Sequence, residues 1–169
     1  TPRAETYFGT IAGNAITWVS GTSLLAVRYA HAASILSDGR ILITGGTDGT
    51  IQKAETYFGT IAGNAITWVS GTALPAARQG HTASLLSDGR IFVIGGLDAL
   101  VAFRAETYFG TIAGNAITWV SGTSLPASRF SPATSVLSDG RILVVGGLDA
   151  SVNRAETYFG TIAKWAIKT

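Results

Sequence analysis

The sequence predicts an all-β fold built from repeats, and three observations carry that prediction. The string AETYFGTIAGNAITWVSGT stands unchanged at 4–22, 54–72 and 105–123, and a fourth copy starts at Ala155 and departs from the others after Ala163. A second block alternates with it, as SDGRILITGG at 37–46, SDGRIFVIGG at 87–96 and SDGRILVVGG at 138–147. No run shows a helical period with caps, while 21 glycines interrupt the 169 residues. Tyr7, Tyr57, Tyr108 and Tyr158 are spaced 50, 51 and 50 apart, the size of one supersecondary unit that cannot bury its own faces alone.

Each period reads as four short strands. Residues 31–36 (HAASIL) run into Ser-Asp-Gly-Arg, a turn in which Gly39 supplies a positive φ. Residues 40–44 (RILIT) are rich in β-branched and apolar side chains and stop at Gly45-Gly46. Residues 54–62 and 65–70 make a second hairpin across Gly63-Asn64, a pair suited to a primed turn. The strand RIFVI at 90–94 is apolar on both faces, which predicts sheets stacked on either side of it. Four-stranded antiparallel sheets stacked in this way describe a β-propeller.

The repeat resembles the kelch family. Diglycines close the second strand (Gly45-Gly46, Gly95-Gly96, Gly146-Gly147), and a Tyr and a Trp follow (Tyr57 and Trp68, Tyr108 and Trp119). The lead-in Arg-x-x-His-x-Ala-Ser-x-Leu-x-Asp-Gly-Arg at 78–90 is similar to bacterial members. Tyr and Trp stand 11 apart, implying a longer third-to-fourth strand hairpin, and the lead-in His becomes Pro132 in the third copy. No Trp-Asp dipeptide closes a blade, which disfavours a WD repeat.

The blade count does not close. Four third-to-fourth strand hairpins, the last one short, accompany three first-to-second ones, which makes about three and a half blades. We divide the chain into a half-blade at 1–22, blades at 23–72 and 73–123, and a partial last blade at 124–169. Kelch relatives use six or seven blades, so the resemblance implies completion by a second chain, a dimer being favoured, or a longer array. The divergent tail at 164–169 reads as a terminus that need not form a full strand.

Composition narrows the chemistry. There is no cysteine, so disulfides, thiolate metal sites and a cysteine nucleophile are excluded. A net charge of +2 without a basic run gives no support for nucleic acid, and no stretch is long and apolar enough for a membrane span. Low charge, at 13%, together with abundant Thr, Ser, Ala and Gly suggests an extracellular or cell-surface protein, and Thr1 at the start suggests a mature or excised piece. All ten acids recur at three registers: Glu5, Glu55, Glu106 and Glu156; Asp38, Asp88 and Asp139; Asp48, Asp98 and Asp149. Without a unique acid there is no catalytic constellation, and the charges read as turn residues and ion pairs between blades, with Arg3 and Glu5, and Arg104 and Glu106, suited to cross-blade pairing. His31 and His81 are the only histidines, too few for a metal site. The expectation is therefore no enzyme, no metal and no cofactor.

Differences between copies gather in the second turn (47–53, 97–104, 148–154) and in the link before the first strand, whereas SDGR and AGNA are identical in every complete copy. In a four-stranded meander the second turn and the link share one end. That end carries Tyr29, Gln79, Leu100, Phe103 and Phe130, the expected binding residues. The sequence thus predicts a non-enzymatic scaffold for protein or ligand binding, completed by self-association. A structural repeat forming rings or polymers, and a carbohydrate-binding or sugar-processing propeller, stand as alternatives.

Overall fold

The computed structural model describes residues 2–150 and 152–162; over them the chain is all-β, with 17 strands in antiparallel sheets and no helix. Four main sheets follow one another along the chain. Sheet I is the hairpin β1 (Tyr7–Ala12) and β2 (Ala15–Ser20). Sheet II is a meander of β3 (Ala32–Ile35), β4 (Ile41–Thr44), β5 (Thr56–Ala62) and β6 (Ala65–Ser70).

The small strands β7 (Arg78–Gln79) and β10 (Leu97–Asp98) pair with each other. Sheet III repeats the meander with β8 (Thr82–Leu85), β9 (Ile91–Ile94), β11 (Thr107–Ala113) and β12 (Ala116–Ser121). Sheet IV holds β13 (Ala133–Val136), β14 (Arg141–Val145) and β17 (Thr157–Thr161), with the short pair β15 (Leu148–Asp149) and β16 (Val152–Asn153) beside it.

The turns follow from their residues. Gly13, Gly63 and Gly114 take φ of 61°, 59° and 61° at the first central position of the Gly-Asn hairpins, while the asparagines stay at negative φ. That is the demand of a type II′ turn, which glycine meets without a Cβ clash. In Ser-Asp-Gly-Arg, Gly39 at φ 82° donates back to Leu36 O while Asp38 Oδ1 accepts from Arg40 N at 3.1 Å.

Strand β9 shows why the sheets stack. Its period of two sends Ile91 and Val93 into a core with Leu36, Leu42, Phe58, Leu74 and Ile117, between sheets II and III. Phe92 and Ile94 go into a second core with Leu86, Ile142 and Val144, between sheets III and IV. All four β9 residues are buried, as a strand apolar on both faces requires. Strand β8 lies against β3 on one side and β13 on the other, with Ser34 Oγ donating to Ala83 O at 2.9 Å.

The outer strands β6 and β12 are each clasped by the link that follows the preceding sheet. Ile66 N donates to Thr22 Oγ1 and Trp68 Nε1 to Thr22 O; Ile117 N and Trp119 Nε1 repeat both bonds on Thr72. The Trp rings also explain an invariant glycine: a Cβ on Gly59 would lie 2.5 Å from Trp68 Cζ3.

The expectation of ion pairs between blades is corrected. Asp38–Arg40, Asp88–Arg90 and Asp139–Arg141 pair inside their own turns, and Arg3–Glu5 and Arg104–Glu106 pair with each other two residues apart. A flexible side chain meets a partner two residues away at much lower entropic cost than one on another sheet. The crossing between sheets comes instead from Arg40, which donates to Gly114 O at 2.9 Å and Asn115 Oδ1 at 2.8 Å.

Candidate recognition face

The end of the sheets opposite the Gly-Asn hairpins is built three times on one plan. The link before the first strand pairs with the second turn of its own sheet, through Tyr29 with Thr47, Gln79 with Leu97, and Phe130 with Leu148. The returning limb of that turn pairs on the other side, through Gln52, Phe103 and Asn153. The residues that differ most between copies thus occupy equivalent positions of a small three-limbed ladder.

Each ladder is pinned by one acid and one base. Asp48 meets Lys53 Nζ at 2.7 Å, Asp98 takes Arg104, and Asp149 takes Arg154 at 3.1 Å. The Lys53 hydrogen bond, followed by the backbone N–H groups of Ile51 and Thr50, holds the Asp48 carboxyl well below the usual carboxylate range. Asp149 is held below it as well, first by the Ser128 hydroxyl. These acids are scaffold, and their charge is committed.

Beneath the ladders lie buried arginines whose role the sequence did not expose. Arg28, Arg78 and Arg129 are at most 3% exposed. Their guanidinium groups lie over the rings of Tyr57, Tyr108 and Tyr158 at 4.5, 4.8 and 5.0 Å. Arg28 and Arg78 each donate to the first diglycine carbonyl of their own sheet, Gly45 O and Gly95 O, at 2.7 Å. Arg129 instead donates to Ser128 O and Tyr158 Oη. Their recurrence every 50 or 51 residues was the available signal, but equal spacing suited ion pairing just as well.

Of the five expected binding residues, Tyr29 is 49% exposed beside Gly49, and Leu100 is 83% exposed at the tip of its turn. Gln79 is half-buried in the central ladder. Phe103 and Phe130 come together edge to face, 6.4 Å between centroids, across the boundary of sheets III and IV. The Phe130 ring covers Gly80 at the place a Cβ would occupy, so it packs the scaffold as well as facing outward. Tyr29 stands apart from that pair.

At the inner edge, a chain of backbone hydrogen bonds runs from one sheet to the next. Gly80 N donates to Ala30 O at 2.8 Å and Ser131 N donates to Gly80 O at 2.7 Å. All three residues take positive φ, 52° at Ala30, 61° at Gly80 and 49° at Ser131. Beside this chain, His81 is buried and forms a 2.8 Å hydrogen bond with Thr44 Oγ1. Among the described residues no three His, Asp or Glu side chains come together to hold a metal, and no helix is long and apolar enough to cross a membrane. No protein-family model matches the chain, and no curated protein matches it significantly.

Proposed function

We propose that the chain is about half of a kelch-like β-propeller and serves as a non-enzymatic binding scaffold, completed by self-association. The observation that carries this reading is the threefold ladder. Equivalent main-chain bridges hold side chains that differ at each register: Tyr29, Gln79 and Phe130 on one limb, Gln52, Phe103 and Asn153 on another. A constant framework with varied residues at one end is how loops on rigid scaffolds recognise partners. The successive four-stranded meanders, with β3, β8 and β13 side by side at the inner edge, support the propeller arrangement. The committed charge of Asp48 and Asp149 supports binding over acid–base chemistry, which needs a titrating group left available to a substrate.

The exposed contacts of this reading are Tyr29 and Leu100, with the Phe103–Phe130 edge between sheets as the apolar anchor. A displayed peptide library and a glycan array, each probed with the native chain and with Tyr29→Ser/Leu100→Ser, test it. Probes captured by the native chain are expected to be lost by the double variant with an unchanged melting temperature. Capture unaffected by the double variant, or no capture on either format, counts against this face.

A further inference from the structure

The hairpin of sheet I carries a free edge whose complement exists elsewhere in the same sequence. Among the described residues β1 pairs only with β2. Yet the Thr6-Tyr7-Phe8-Gly9 run at its start is identical to the one that β5, β11 and β17 use to pair with β4, β9 and β14, β17 adding a fifth pair, Thr161 with Arg141. The register is the same each time: Thr56 meets Thr44, Thr107 meets Ile94 and Thr157 meets Val145. The β1–β2 register also matches that of β5–β6, so the hairpin is already shaped for docking.

Its faces are uncovered in the same pattern. Tyr7 is 61% exposed where Tyr57 is 8%, and Ile16 is 48% exposed where Ile66 is 5% and Ile117 3%. The Thr22 and Thr72 clasps hold the backbone N–H of Ile66 and Ile117, and Ile117 packs in the core between sheets II and III. The third clasp in register is Thr123, whose hydroxyl meets no partner among the described residues. The backbone chain at the inner edge has matching ends: among the described residues Ala30 N meets no acceptor and Ser131 O no donor.

We propose that β1 of one chain replaces β17 on β14 of a second chain, and reciprocally, so that two chains close a ring of six four-stranded sheets. This rests on the half-propeller reading above. Each closing sheet is then β13–β14 from one chain followed by β1–β2 from the other. Arg129 stacks on the incoming Tyr7, Thr123 clasps Ile16 and Trp18, and Ser131 O accepts from Ala30 N of the second chain. The exchange is even-handed in strand pairing, because the incoming and outgoing segments have the same sequence. Its driving force is the apolar surface of Tyr7, Ile16 and Trp18, together with the removal of an unpaired edge. The segment after β17 offers no equal: it carries Thr169 at the register of Trp18.

The chain has no cysteine, which makes disulfide trapping clean. Facing residues of paired strands lie within disulfide reach. In Thr6→Cys/Val145→Cys we expect oxidation in dilute solution to yield a species of twice the mass of one chain on a non-reducing gel, reversed by reductant. Thr157→Cys/Val145→Cys locks β17 in place and is expected to lose the dimer in sedimentation while keeping its β-sheet circular dichroism. Should the first pair disturb folding, Thr10→Cys/Arg141→Cys reads the other end of the same ladder. A native dimer that neither interchain pair cross-links overturns the exchange and leaves self-association standing; a ladder of higher covalent species overturns the two-chain ring. A folded monomer in sedimentation overturns both.

Discussion

His81 Nε2 lies 2.8 Å from Thr44 Oγ1, a buried hydrogen bond between sheets II and III. One repeat later the same two positions carry Pro132 and Ile94, so both members of the polar pair change together. A lone hydroxyl or imidazole there would lose its partner, at a cost of about 1–3 kcal/mol. Burial, then the Arg78 charge, then His31, pushes His81 down to about 3. The unfolded chain binds a proton near 6.5 that the folded chain refuses until near 3, so stability falls as pH drops through that interval. His31, lowered by burial and Arg28, adds to the same sign. Urea unfolding should show a loss of up to about 1.4 kcal/mol per pH unit from His81 between pH 6.5 and 5. The pinned aspartates contribute only further into acid. His81→Gln should flatten the slope, and equal stability at pH 7 and 5 in the native chain would contradict the assignment.

The buried arginines are scaffold. Arg78 is 1% exposed, stacked on Tyr108 and bonded to Gly95 O. Arg78→Ala removes the stack and leaves a buried carbonyl without its donor, and should cost about 2–4 kcal/mol in denaturant unfolding. Arg78→Lys should recover little, since an ammonium neither lies flat on the ring nor reaches in a planar fork.

Val101 sits at φ 59°, in a conformation that β-branched residues avoid. Its turn is tied down by Asp98, whose Oδ1 accepts from Leu100 N and Ala102 N at 2.9 Å, so the strain is held by the loop. Val101→Asn should relieve it and raise stability by about 1 kcal/mol, read as a higher melting temperature. A lower melting temperature would mean that the side chain packs usefully at this end of the sheets.

Ile16 and Ile66 stand in identical strings yet differ tenfold or so in exposure, 48% against 5%. Ile66→Ala should cost about 2–5 kcal/mol, as for a core isoleucine. Ile16→Ala should cost little in a dissociated chain and approach the Ile66 value once chains associate, so its effect should grow with protein concentration. An Ile16→Ala effect independent of concentration would show that this face stays open.

Much of the local structure was legible. Gly-Asn at 63–64 asked for a primed turn, Asp-Gly at 38–39 for a glycine at positive φ, and RIFVI for cover on both faces; these are demands of a residue on its own backbone or on its strand neighbours. The candidate recognition ladder was half legible. Variation marked its loops and Leu100 stands open, but the seat of Phe130 over Gly80 joins residues 50 apart and left no local trace. The charges misled, because Arg78 and Asp88 recur with the same period although one is buried on a tyrosine and the other is spent within a turn.

Residue order alone set the strands, their turns and the repeat, since these depend on allowed dihedrals and on which side of a strand is apolar. Packing decided what each copy experiences. Tyr7 and Tyr57 have the same neighbours in sequence, but one is open and the other lies under Arg28. Burial belongs to the sheet that comes alongside, and identical strings receive different neighbours according to their place in the stack.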